Sequence, residues 1–182
     1  MEPIFTMQYA EFKVADVLSK EIKDASVFIP ASAQEKGIDL LLYRYLDGRN
    51  LTNTVQVKMS RTYYSQKVTE EYPYTLWFNR FEVQDNADCF VLVGIYAKLP
   101  KDAESIKGNS WGEIMLAFTN AEMHAFMEEV RQKKDPSKPD KMFGFGFDDA
   151  ERIVQTRGYA VKRDMSQHLL KNRLEEIRNS FT

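Results

Sequence analysis

Three polar side chains stand in two neighbouring segments that are otherwise apolar enough to be buried strands. Asp39 opens the run DLLLYRYL, and Gln56 and Lys58 lie in TVQVKMS. Because side chains alternate between the two faces of a strand, Gln56 and Lys58 project together, opposite to Val55 and Val57. A carboxylate, an amide oxygen and an ammonium group that share a face could bind a divalent cation and a phosphate.

A short turn between the two segments decides which residues face each other. The intervening sequence DGRN contains an Asp-Gly pair, which is typical of a two-residue β-hairpin turn. A turn centred on the Gly-Arg pair places Asp39 opposite Lys58, whereas a turn centred on the Asp-Gly pair places Asp39 opposite Gln56. The two registers differ by an even step, so both predict that the three polar groups share one face.

A carboxylate also lies in the apolar stripe of a predicted N-terminal helix. Residues 7–22 have apolar side chains at helical spacing, and Glu11 follows Met7 by four positions and precedes Val14 by three. A buried carboxylate needs a partner such as Lys58 or a metal ion, because an unpaired charge in a low dielectric is costly. The alternative is a first-turn carboxylate that the helix dipole favours.

The order of these residues resembles that of the PD-(D/E)XK nuclease superfamily, which has a restriction-endonuclease-like fold and includes Holliday-junction resolvases. The matching residues are Glu11 on the helix, Asp39 at the start of a strand, and Gln56 and Lys58 in QVK on the next strand. Ile38 stands where the proline of the motif would precede the aspartate. Gln56 replaces the usual second carboxylate, which is the more important departure.

The resemblance implies a metal-dependent DNA endonuclease with a repair, junction-processing or restriction-like role and with Mg²⁺ or Mn²⁺ as cofactor. Asp39, Gln56, Lys58 and Glu11 then form the catalytic set. The implied metal ligands are Asp39, Glu11, the amide oxygen of Gln56 and the backbone carbonyl of Val57. The ion polarises the scissile phosphate and activates a bound water, which Lys58 orients. Because Gln lacks the charge of Glu, we expect weak metal binding.

The tyrosine-rich stretch that follows Lys58 supplies candidate contacts to DNA. The predicted nucleic-acid-binding residues are Arg61, Tyr63, Tyr64 and Lys67. The phenylalanines of MFGFGFDD could offer further stacking platforms for bases, but their alternation with glycine favours a strand or turn that packs into the core.

Two other functions remain open. The first is a catalytically inactive nuclease-fold module for binding or assembly, in which Gln56 marks lost catalysis. The second is a protein-interaction domain whose hairpin carries an ordinary cross-strand pair of Asp39 and Lys58 on an exposed face. Cleavage of plasmid DNA with Mg²⁺ or Mn²⁺ separates the endonuclease from both, and metal binding without cleavage favours the inactive module.

The elements that must position these residues follow from the hydrophobic pattern. The predicted order is helix 7–22, strands 38–46 and 51–59, strands in YTLWFNRFEV, DCFVLVGIYA and WGEIMLAF, a helix opened by a Thr119/Glu122 capping box, a flexible loop KKDPSKPDK, and a final helix from about Asp164. This order predicts an α/β three-layer sandwich with a central mixed β-sheet flanked by helices, restriction-endonuclease-like, as a single domain over residues 1–182.

Composition limits the environment and the partners. The 182 residues are 43% apolar, enough for a sizeable core. The single Cys89 lies in an apolar run and excludes an internal disulfide, which fits a cytoplasmic location. We find neither a signal segment nor the roughly 18 consecutive apolar residues that a membrane helix needs, so no membrane partner is expected.

The distribution of charge along the chain is compatible with a DNA partner. The net charge of −2 is unlike that of strongly basic nucleic-acid-binding domains, but residues 131–182 hold 12 of the 25 lysines and arginines. The sequence leaves open whether the protein forms a homodimer.

Overall fold

The computed structural model describes residues 9–30, 36–64, 71–97, 111–148 and 152–182. The elements in these ranges are α1 (Tyr9–Glu21), β1 (Ser26–Phe28), β2 (Leu40–Leu46), β3 (Arg49–Tyr64), β4 (Tyr74–Phe78), β5 (Cys89–Ala97), β6 (Trp111–Thr119), α2 (Asn120–Glu129), β7 (Phe143–Phe147), β8 (Ile153–Arg157), β9 (Arg163–Asp164), a 3₁₀ turn (Ser166–His168) and α3 (Leu170–Asn179). None of these three helices combines the length and the apolar character that a membrane crossing requires.

The strands form one sheet whose two halves share β3. In the first half the order is β1-β2-β3-β5-β6, and in the second half β4, β7, β8 and β9 continue from the end of β3 at Thr62–Tyr64. The pair β3 and β5 is parallel, and the other pairs among the described strands are antiparallel. The protein is thus α/β with a mixed, mainly antiparallel sheet.

Alternation along the central strands divides the apolar side chains between two cores. Val55 and Val57 of β3 and Val91 of β5 pack with the buried faces of α1 and α3. Phe90 and Leu92 point the other way, into an aromatic core formed with β4, β7 and α2. Two helices therefore cover one face of the first half of the sheet, and the second half with α2 lies on the opposite face.

The phenylalanines of FGFGF belong to this aromatic core, as the sequence pattern favours. Phe143, Phe145 and Phe147 have no exposed surface. The two glycines between them are also buried but lie on the opposite face of β7, and a Cβ atom added at Gly144 would collide with the ring of Trp77. The Phe–Gly alternation thus builds a core on one face of β7 and leaves room for an aromatic ring on the other.

The capping box that predicts the second helix is present. The Thr119 hydroxyl accepts a hydrogen bond from the Glu122 backbone N–H, and the Glu122 carboxylate accepts one from the Thr119 N–H. The last helix differs from its prediction, since it begins at Leu170 rather than near Asp164. The Asp164 carboxylate accepts hydrogen bonds from both the N–H and the hydroxyl of Ser166, and these bonds favour a turn in place of a helical start.

The loop KKDPSKPDK, predicted to be a flexible excursion, contains local hydrogen bonds. The Gln132 N–H donates to the Lys138 carbonyl at 3.1 Å, and Arg131 and Pro139 form an isolated bridge. Asp135 accepts hydrogen bonds from the N–H and hydroxyl of Ser137, an Asx-type turn that composition alone does not reveal.

Candidate functional site

The hairpin of β2 and β3 turns at the Asp-Gly pair. Asp47 and Gly48 have φ angles of 51° and 77°, the left-handed values that a type I′ turn requires. Leu46 lies opposite Arg49, and Leu40 lies opposite Val55. Of the two predicted registers, the structure adopts the one that brings Asp39 beside Gln56.

Beyond this hairpin, one edge of β3 is open. β2 reaches only as far as Val55, and β4 pairs with β3 only from Thr62 onward. Between them, residues 56–61 pair with β5 on one side, and no described strand lies on the other. We call residues 56–61 the open edge of β3; its length is about 20 Å at the usual rise of a strand.

The Asp39 carboxylate lies at one end of the open edge. Its Oδ2 atom accepts a hydrogen bond of 2.7 Å from the backbone N–H of Val57, and the Asp39 N–H donates to the Val55 carbonyl at 2.9 Å. Burial raises the pKa of the Asp39 carboxyl, whereas the Val57 hydrogen bond and the positive charge of Lys58 oppose that rise. The site therefore holds a partly desolvated carboxylate in a fixed orientation.

Gln56 and Lys58 are next to it on β3 and share a face. Gln56 is 2% exposed, and its Oε1 atom has no hydrogen-bond partner among the described residues. Asn53 and Gln155 also have an unpartnered amide oxygen, but neither lies at the open edge. The Lys58 side chain is exposed and makes no ion pair with any residue that the structure describes.

The Val57 backbone adds another oxygen. Both the N–H and the C=O of a strand residue point to the same edge, so the contact with Asp39 shows that the Val57 carbonyl also faces the open edge. A carboxylate oxygen and a carbonyl oxygen thus face one end of the open edge, and the buried Gln56 amide belongs to the residue before Val57. These are the hard oxygen donors that Mg²⁺ and Mn²⁺ prefer.

Glu11 is the predicted site residue that the structure does not bring onto the face of Gln56 and Lys58. Its helix α1 packs against Val55 and Val57, whose side chains lie on the opposite face of β3. The helical stripe correctly identifies the buried side of α1, but it carries no information on which face of the sheet that side covers.

The chain that leads into Asp39 is held by the loop before β5. The Asn86 side-chain amide donates to the Lys36 carbonyl at 2.8 Å. Gly37 has a φ of 91°, and a Cβ atom placed on it would lie 2.7 Å from the Cβ of Gln84. A glycine is therefore needed two residues before Asp39, because a larger residue would be strained and would push against Gln84.

The predicted DNA contacts divide between the two faces of β3. Arg61 and Tyr63 are exposed on one face, where Tyr63 stacks on Trp77 with ring centroids 4.9 Å apart. Tyr64 projects from the other face and packs against Tyr74, with a centroid distance of 5.5 Å. Lys67 lies outside the described residues. Sequence reasoning missed Trp77, although its alternation with the buried residues of YTLWF could have indicated it.

Acidic ligands are few at this site. The described ranges contain no group of three or more His, Cys, Asp or Glu residues that could hold a metal ion, so metal binding here depends on neutral oxygens besides Asp39. Comparisons with models of protein families, with curated proteins and with solved structures find no match for this chain.

Proposed function

We propose that this protein is a metal-dependent DNA endonuclease of the PD-(D/E)XK type, with the restriction-endonuclease-like fold built around β2, β3 and β5. The observation that carries the proposal is the hydrogen bond that joins the Asp39 carboxylate to Val57, the residue between Gln56 and Lys58. The Asp39 carboxylate is partly buried, the Gln56 amide oxygen has no partner among the described residues, and the charge of Lys58 acts on Asp39. A cross-strand ion pair at an exposed hairpin explains neither the burial of Asp39 nor that of Gln56.

The residues present fit a divalent cation. Asp39 would supply the anionic oxygen, and the Gln56 amide and the Val57 carbonyl would supply neutral ones. The unpartnered Oε1 atom of Gln56 supports this assignment, because a buried acceptor without a partner costs free energy that a ligand can recover. When bound, Mg²⁺ or Mn²⁺ supplies Lewis-acid polarisation of the phosphate and a water of lowered pKa.

The chain's own groups account for the rest of the chemistry. The Lys58 ammonium can donate hydrogen bonds to a non-bridging phosphate oxygen and offset the negative charge that develops there during hydrolysis. The Val57 N–H holds the Asp39 carboxylate in one orientation. Arg61 and Tyr63, farther along β3 and on the face opposite to Lys58, would contact the DNA backbone.

A second candidate is a catalytically inactive module of the same fold. The shortage of acidic ligands favours it, since the described residues contain no group of three or more His, Cys, Asp or Glu side chains that could hold a metal ion. Such a module would bind DNA or a metal ion without cleaving phosphodiester bonds.

Plasmid cleavage with Mg²⁺ or Mn²⁺ tests the proposal, with Asp39→Asn as the decisive variant. Asparagine keeps an oxygen that can accept the Val57 hydrogen bond but removes the charge, so the fold should persist while cleavage falls by at least about 100-fold. Asp47→Asn, in the turn of the same hairpin, is the matched control and should cleave normally. An Asp39→Asn variant that cleaves like the parent contradicts the proposal, and metal binding by a parent that does not cleave supports the inactive module.

A further inference from the structure

A pair of stacked aromatic rings lies on the exposed face of the second half of the sheet. Tyr63 on β3 and Trp77 on β4 have ring centroids 4.9 Å apart and an interplanar angle of 26°. Tyr63 is 48% exposed and Trp77 is 39% exposed, although both are large apolar groups. The phenylalanine core lies on the other face of these strands, so the stack contributes little to the core.

The backbone of β7 is adapted to the stack. Gly144 is the cross-strand partner of Trp77, and a Cβ atom at this position would collide with the Trp77 Cδ1 atom and approach the Leu76 carbonyl oxygen to 2.9 Å. The Trp77 ring can lie against β7 only because residue 144 has no side chain. This arrangement holds a flat aromatic surface in place and leaves much of it exposed.

Positive charge borders the stack. Arg61 lies two residues before Tyr63 and therefore projects from the same face of β3. Its guanidinium has no hydrogen bond or ion pair with the described part of the chain, whereas Lys58 projects from the opposite face of β3. An unpaired cation beside an exposed aromatic stack is complementary to a polyanion that carries flat rings.

We propose that the Tyr63–Trp77 stack binds an unpaired base of DNA, and hence that the substrate contains a single-stranded segment near the cleaved bond. This inference rests on the proposed nuclease function. Bases within a duplex stack on their neighbours and cannot offer a face to a protein ring, whereas bases of a single strand can. Tyr63 lies six residues along β3 from Val57, about 20 Å, which a few nucleotides of one strand can span.

The two tryptophans of the chain allow a direct test. In a Trp111→Phe variant, Trp77 is the sole tryptophan, and its fluorescence reports on stacking. With EDTA present to prevent cleavage, oligo(dT) should quench this emission saturably, whereas a duplex of the same length and inorganic polyphosphate should leave it unchanged. The Trp77→Phe variant, in which Trp111 remains, should show no quenching. Equal quenching by duplex or polyphosphate, or none by oligo(dT), contradicts the proposal.

Affinity provides the second readout. Trp77→Ala should weaken oligo(dT) binding by roughly 5- to 150-fold, the range expected for one base–aromatic stack. Trp77→Phe should retain most of the affinity, and Trp111→Ala is the matched control. Circular dichroism and thermal unfolding verify that each variant is folded. If folded Trp77→Ala binds oligo(dT) as tightly as the parent, the stack does not bind a base.

The Asp39→Asn variant separates this inference from the proposed function. Its oligo(dT) binding should match that of the parent while its cleavage is lost. Retained cleavage in Asp39→Asn together with Trp77 quenching would refute the proposed site but support the stack as a DNA contact. Lost cleavage in Asp39→Asn without Trp77 quenching would refute base binding by the stack but would still support the proposed endonuclease function.

Discussion

The Val57 backbone N–H donates a hydrogen bond of 2.7 Å to the Asp39 carboxylate, so a side chain takes the place that a neighbouring strand would occupy on β3. The open edge begins beyond the pair of Leu40 and Val55, at the N-terminal end of β2, and Asp39 is the residue just before β2. This contact fixes the carboxylate but also keeps it partly away from water. It therefore has consequences for both stability and metal binding.

We expect Asp39→Asn to raise the free energy of unfolding at pH 7. Burial raises the pKa of Asp39 above its value in the unfolded chain, about 3.9, so the ionised carboxylate destabilises the fold at neutral pH. As the pH falls through the folded-state pKa and then below the unfolded value, the parent gains a proton and the difference disappears. Urea unfolding at a series of pH values measures the difference in free energy of unfolding between the variant and the parent, with Asp47→Asn as the exposed control. A variant less stable than the parent at pH 7 would contradict the expectation.

Gln56→Glu should tighten binding of Mg²⁺ or Mn²⁺, because it adds a negative charge next to Asp39 at the open edge. Without metal, the same change should destabilise the protein, since two carboxylates would then lie in a partly buried place. Isothermal titration and the metal-dependent rise of Tm measure metal binding, and the Tm without metal measures the loss of stability. If neither the parent nor the variant binds a divalent ion at millimolar concentration, the proposal of a metal site is wrong. Restored binding without cleavage would indicate a decayed nuclease.

Lys58→Met should lower cleavage by about 100-fold or more while metal binding is kept or improved. Removing the ammonium takes away the group that offsets charge on the phosphate, and it also removes a repulsion between Lys58 and the bound cation. Lys133→Met, which changes another exposed lysine, is the control. The comparison needs cleavage rates at saturating metal together with a metal titration. Loss of metal binding in Lys58→Met would show that the lysine supports the fold of the site instead.

Gly37→Ala and Gly48→Ala form a matched pair. Both glycines have positive φ angles, 91° and 77°, so each alanine should cost roughly 1 kcal/mol of stability. Only the change at Gly37 also presses on Gln84, because nothing lies within 4 Å of a Cβ at Gly48. Cleavage should therefore fall in Gly37→Ala and persist in Gly48→Ala. Equal activity in the two variants, measured below their melting temperatures, would show that Gly37 does not position Asp39.

Local chemistry explains which features the sequence could predict. The Asp-Gly turn, the alternation around Gln56 and the Thr119 capping box each depend on residues close together in the chain, and the structure has all three. The open edge arises from where β2 and β4 end along β3, and the placement of Glu11 depends on which face α1 covers. These are relations between distant segments, and hydrophobic periodicity does not encode them.

Because β3 contributes its first residues to one half of the sheet and its last to the other, neither half can be completed without it. The two halves should therefore unfold together, as a single cooperative transition. The β3–β5 pairing brings together residues about 34 positions apart, such as Val55 and Cys89, so loop closure should slow folding. Amide protons along β3 should accordingly exchange only through global unfolding, except at the open edge, where the exchange of Val57 would report directly on how firmly Asp39 holds it.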